Sequence, residues 1–281
     1  MDIKSVFVIA RREVRDSLTN RWFLLFAGGF ALLALLLQFA AFSKGLVGVE
    51  GHGYGRTAAS LINLVIMFVP LISLIMGAIT VAGEREKGTL AYLLSHPVTK
   101  AEIFFGKFIG LMLPIAVSIL LGFGVSGFVV SVGGEAGGGS AWNYLSAVAL
   151  SLYLAASLCG IGLLISVLTE RVSKAIGVAL FIWLMIVVFG DLGIIGTTLA
   201  LGLGIRELFF LVLINPAEVF KIAAVLSITN RIEVLGPVGI YALRTYGQTG
   251  TLSILLAALS FWFLAPLGAA FLSFCVWRKE P

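Results

Sequence analysis

The residues best placed to do chemistry stand together in one charged island: Glu84, Arg85, Glu86, Lys87, Gly88 and Thr89, running on through Leu90, Leu93, Leu94, His96, Pro97, Thr99 and Glu102 to Lys107. Acids and bases alternate in it, which suits ion pairing with a partner surface and not the making or breaking of bonds. Leu90, Leu93 and Leu94 fall at i, i+3 and i+4 and give the island one apolar helical face. Pro97 stops that helix at His96. Thr99 and Glu102 then have the spacing of a capping box, in which each side chain takes the other residue's amide. A second helix is predicted from Lys100, so segment 83–107 reads as a charged helix-turn-helix between two apolar runs.

Residue sets for catalysis are missing from the sequence. The phosphate-cradling pattern G-x-x-x-x-G-K-[ST] does not occur, and the pair Gly106-Lys107 is followed by Phe108. Neither G-x-S-x-G nor H-E-x-x-H is present, and no His recurs at metal-ligand spacing. Met67, Met76, Met112 and Met185, with Cys159 and Cys275, are soft enough to suit Cu(I). Scattered through apolar runs, they read as packing. The expectation is a chain with no catalytic residue, no metal and no cofactor of its own.

The elements that must hold the island are membrane helices. Of 281 residues, 60% are apolar and 12% charged, and the mean hydropathy is +1.10, which predicts an all-α polytopic membrane protein forming one domain. Ile3, Val6, Phe7, Ala10, Val14 and Leu18 recur at helical spacing opposite Lys4, Arg11, Arg12, Arg15 and Asp16, so residues 1–21 read as an amphipathic interfacial helix and not a secretory signal. Six spans follow at about 22–42, 59–82, 108–132, 142–168, 175–204 and 251–277; the first matches the ~20 residues needed for a ~30 Å hydrocarbon core, and the fifth is longer than one span needs, which leaves open an extra membrane segment within 192–214. Glycine-rich stretches over 43–58 and 133–140 read as loops.

Three local features refine this plan. Ser151, Ala155, Cys159, Gly162 and Ser166 repeat at steps of four or three and make one face of the fourth span small. Asp191, inside the fifth apolar run, is a functional candidate as an intramembrane acid; alternatively, Gly190-Asp191-Leu192-Gly193 marks the exit from the bilayer. Asn215, Pro216 and Glu218 supply an N-cap, a first-turn proline and a capping carboxylate for a helix running through Val219, Phe220, Ala223 and Leu226, within a segment 205–250 expected on the outer face and partly embedded in the interface.

Orientation follows from the flanks. With both termini inside, thirteen of the nineteen Lys and Arg face the cytoplasm, against six outside: Lys44, Arg56, Arg206, Lys221, Arg231 and Arg244. That bias places the charged island in the cytoplasm. It also makes membrane lipid, and not nucleic acid, the partner of the remaining basic residues.

The ordered series E-R-E-K-G-T-L-x-x-L-L-x-x-P-V-T-K-x-E-I-x-x-G-K over 84–107 resembles the first cytoplasmic loop of the ABC type 2 permease family. The resemblance implies a coupling helix docked on a separate ABC ATPase, present in two copies and carrying ATP and Mg, with the permease itself a homodimer in a bacterial inner membrane. It also implies a weaker second coupling segment at Glu170 and Arg171. Within the family the likeness runs nearly end to end with the branch that serves nitrous oxide reductase maturation in denitrifying bacteria, and includes the segment 214–221. That branch implies a periplasmic β-helical partner, with Asn215, Pro216, Glu218 and Lys221 as its contact, and a role in assembling a copper-sulfur centre. The alternatives are a general type 2 exporter of a lipid, drug or other hydrophobic molecule, and a scaffold that transports nothing.

Overall fold

The computed structural model describes residues 3–43, 53–93, 95, 98–132, 138–201, 204–228 and 236–276. Among them no strand occurs. The helices are α1 (Ile3–Thr19), α2 (Arg21–Ser43), α3 (Gly53–Glu86), α4 (Thr89–Leu93), α5 (Lys100–Val132), α6 (Gly138–Leu168), α7 (Val172–Leu201), α8 (Ile205–Ile214), α9 (Pro216–Ile228) and α10 (Gly236–Val276). Among the described residues, five stretches are long and apolar enough to cross a membrane: Leu61–Glu86, Lys100–Phe128, Tyr144–Leu168, Val172–Gly190 and Gly236–Val276. The number rises to seven if each of two bent pairs, α1 with α2 and α8 with α9, counts as one span. The chain is an integral membrane protein, built of the one element whose backbone satisfies itself in lipid.

The helices overrun several expected boundaries. α3 begins at Gly53 and α6 at Gly138, both inside stretches read above as loops. Glycine costs a helix ~1 kcal/mol per residue relative to alanine, a penalty that extension alone does not offset and that packing of the long helix does. At the other end, α3 continues through Glu86 and α5 runs unbroken from Lys100, so the charged island is made largely of the ends of two spans. Gly88, at φ 71°, makes the break that sets the short α4 apart.

The α3–α6 crossing forms the centre of the bundle. A Cβ on Gly77 would lie 2.8 Å from the Cys159 carbonyl oxygen, and one on Gly162 would lie 2.6 Å from that of Leu74, so the two backbones touch. The small face expected on α6 is the face that touches: Ser151, Ala155, Cys159 and Ser166 are all fully buried. Ser166 Oγ accepts from the amides of Val81 (2.9 Å) and Ala82 (2.8 Å), placing an α6 side chain in the hydrogen-bond ladder of α3.

Within segment 205–250, α9 is more deeply built in than expected. α8 and α9 meet at 109°, and α9 packs on α3, α6 and α10 with Ala217, Val219, Phe220, Ala223 and Ala224 buried. A helix apolar on nearly every side is stable only when enclosed. The predicted cap is present: Asn215 Oδ1 accepts the Ala217 amide at 2.9 Å, and α9 starts at Pro216. α10 starts at Gly236 and is interrupted at Gly247 (φ 71°, ψ 177°), close to the expected start of the last span.

Candidate functional site

Each charge at the end of α3 is tied to a different helix. Glu84 Oε1 lies 2.9 Å from Lys107 Nζ on α5 and 3.8 Å from Arg12 on α1. Arg85 donates to the Thr169 carbonyl at the end of α6 at 3.0 Å. Glu86 Oε2 accepts the Val172 amide at 2.7 Å and so caps the first turn of α7, where a carboxylate is favoured by the helix dipole. Four consecutive charged positions would be expected to face water. Three of them instead bind the surrounding helix ends together.

Lys107 is the innermost of these groups, 2% exposed, and it also bonds Glu13 Oε2 of α1 at 3.1 Å. A buried ammonium is tolerated only when paired, and two carboxylates pair it here. Burial pushes the Glu13 carboxyl above its usual range, against the opposing pull of the Lys107 ammonium. The flanking glycines bring α1 close enough. A Cβ on Gly106 would meet Ile9 at 2.9 Å, and one on Gly110 would meet Glu13 Cβ at 2.5 Å and the Ala10 carbonyl at 2.7 Å. Sequence reasoning passed over Glu13 and the α1 contact, although Gly106-x-x-x-Gly110 is a helix-approach signature in an apolar run.

The capping box at the start of α5 forms as predicted. The Thr99 amide donates to Glu102 Oε2 at 2.9 Å, and the Glu102 amide donates to Thr99 Oγ1 at 3.3 Å. Lys100 Nζ then reaches the Cys275 carbonyl at 2.8 Å, fastening the end of α10 to the same site. Within α4, Leu90 is buried and Leu93 half-buried, while Tyr92 is 70% exposed. Lys87, Gly88, Thr89, Ser95 and Thr99 are exposed around it, as are Glu170 and Arg171 in the α6–α7 turn. Leu94, His96 and Pro97 lie outside the described residues, as does the side chain of Asp191 within α7.

Midway along α7, Asn215 joins three helices. Besides capping α9, its backbone amide donates to the Val212 carbonyl of α8 (3.0 Å) and its Nδ2 donates to the Ile186 carbonyl of α7 (2.7 Å). Glu218 is buried beside Lys221, 3.6 Å away.

A small exposed platform sits on α4, which packs on the end of α3, and the ends of α3 and α5 beside it are tied by ion pairs and hydrogen bonds to α1, α6, α7 and α10. Comparison with known proteins says what kind of protein carries it. A family model described as "ABC-2 family transporter protein" matches residues 7–276. The chain belongs to the ABC-2 transporter family. This permease is 32% identical over 225 residues to the probable ABC transporter permease protein NosY of Stutzerimonas stutzeri, a match covering 78% of this chain and 81% of that one. It is also 32% identical over 225 residues to the protein of the same description from Pseudomonas aeruginosa. A shorter match, 33% over 131 residues, joins it to the probable multidrug ABC transporter permease YbhR of Escherichia coli K12, covering 46% of this chain and 33% of that one. As an ABC-2 permease it is the membrane subunit of an ABC transporter, which implies an ATPase partner.

Proposed function

We propose that the permease receives the motion of a separate ATPase through α4 and the ends of α3 and α5, and passes it to the spans. The observation that carries this reading is the wiring of the site. Glu84, Arg85 and Glu86 bind α5 and α1, the end of α6 and the start of α7, so a displacement that reaches the end of α3, on which α4 packs, is passed to all of them. Rigid-body movement of packed helices between two states of similar free energy is the form such coupling takes. ATP and Mg bind on the ATPase, two copies of which dock on a permease homodimer.

Six spans with both termini in the cytoplasm fit the helices when α8 and α9 form a re-entrant pair, a reading supported by their 109° bend and by the charge bias of the flanks. The N-terminal α1 then lies along the inner interface. Its Ile3, Phe7 and Leu18 are exposed and apolar, while Val6 and Ala10 are buried against α5.

The likeness to NosY over most of both chains favours service in nitrous oxide reductase maturation, with a periplasmic β-helical partner and assembly of the copper-sulfur centre. The shorter likeness to YbhR favours a second reading, export of a hydrophobic molecule. Purification from the native membrane with identification of every bound subunit tests both readings. An ATPase together with a periplasmic repeat protein supports maturation, an ATPase alone supports the exporter, and the absence of any ATPase overturns the coupling proposal.

A further inference from the structure

Between α1, the last turns of α3 and α4 lies a cavity of about 460 Å³, within the ~300–1,000 Å³ typical of small-molecule sites. Its wall carries both signs of charge, with Glu13, Asp16 and Glu84 set against Arg12 and Lys87. Lys107, bonded to Glu13 and Glu84, completes the group and brings its formal charge to zero. A ligand with a net charge would unbalance this group. A ligand with a separated ammonium and phosphate would not.

Room for such an exchange is visible in the contacts. Arg12 stands 3.7 Å from Asp16 and 3.8 Å from Glu84, well beyond the ~2.7–2.9 Å of charge-assisted hydrogen bonds. Glu84 Oε2 has no hydrogen-bond partner among the described residues, and being buried it serves a ligand only once the Glu84 side chain turns toward the cavity. No lining residue is aromatic, so a quaternary ammonium would find no cage, whereas a primary ammonium brings three hydrogen-bond donors. The location agrees. α1 bends by 71° into α2 beside Asn20, at the corner where a helix in the interface turns into the bilayer, and Met76 and Ile79 give the cavity an apolar floor.

We propose that this cavity holds the headgroup of a phospholipid bearing a primary ammonium, of the phosphatidylethanolamine type, with the ammonium against Asp16 and Glu84 and the phosphate against Lys87 and Arg12. The proposal rests on the interfacial placement of α1 given above. A lipid so held would sit against the ion pairs that join α1 to the ends of α3 and α5.

Native mass spectrometry of the full chain, delipidated in detergent and titrated with phosphatidylethanolamine, phosphatidylcholine or phosphatidylglycerol, tests it. One phosphatidylethanolamine per chain should be retained at about tenfold lower concentration than the other two, and D16N and K87Q should each remove most of that preference. Asp16 and Lys87 are both exposed, so neither substitution threatens the fold. Equal retention of the three lipids, a preference for the anionic one, or unchanged binding in both variants overturns the proposal. Photo-crosslinking in membranes separates its failure from that of the α1 placement. Thr19→p-benzoylphenylalanine should capture lipid, and capture of a polypeptide there would overturn the proposal. Phe7→p-benzoylphenylalanine, on the opposite side of α1, reports the placement alone: lipid capture at Phe7 without capture at Thr19 rejects the cavity, and no capture at Phe7 rejects the placement.

Discussion

Lys107 on α5 and Glu84 on α3 meet at 2.9 Å, with the lysine 2% exposed, so the two spans that flank α4 are joined inside the protein and not only through the loop. Glu13 of α1 shares the same ammonium at 3.1 Å. Replacing one member of a buried ionic group leaves the others uncompensated, and the cost is typically ~3–5 kcal/mol. K107M should therefore lower the thermal midpoint of the purified permease sharply, and K107M combined with E84Q should recover part of the loss. A midpoint unchanged in K107M would show that the three groups do not hold the helices together.

Glu86 separates two roles that its charge alone would confuse. Its carboxylate accepts the Val172 amide, so E86Q, which keeps an acceptor oxygen, should preserve the start of α7, while E86A should lose roughly 1 kcal/mol of capping. If both variants remain as stable as the parent but equally lose ATPase stimulation, Glu86 acts by contacting the ATPase and not by capping α7. The expected result is a graded one, with E86A the more impaired in stability and in stimulation.

Much of the charged segment 83–107 could be read from residue order. The capping box of Thr99 and Glu102, the start of α5 at Lys100, the buried Leu90 and the cap at Asn215 follow from local chemistry, which depends on near neighbours in sequence. The tie from Glu86 to Val172 and that from Lys107 to Glu13 span 86 and 94 positions, and nothing in local periodicity announces them. The same limit explains α9. Its apolar character shows in the sequence, but its enclosure by α3, α6 and α10 depends on the 109° turn at Asn215.

Two glycines in helices should respond oppositely to alanine. Gly162→Ala puts a Cβ 2.6 Å from the Leu74 carbonyl oxygen and should cost ~1–3 kcal/mol by forcing α3 and α6 apart. Gly268→Ala meets nothing within 4 Å and should be neutral or stabilising through helix propensity alone. Thermal unfolding of the two variants side by side checks the contrast.

Asn215 should anchor the middle of α7 to α8 and α9. N215S keeps a short oxygen for the Ala217 amide but does not reach the Ile186 carbonyl, whereas N215A loses both, at about 1 kcal/mol for each bond. Hydrogen exchange should rise in α7 for both variants, and at the start of α9 for N215A alone. Equal protection of α7 in all three proteins would remove the anchor.

The most direct test of the coupling claim uses Tyr92, which is 70% exposed on α4. Tyr92→p-benzoylphenylalanine, irradiated in native membranes, should capture the ATPase subunit, with a yield that changes on adding ATP. A permease that co-purifies with its ATPase yet gives no adduct at Tyr92 under either condition would contradict the claim that motion enters through α4.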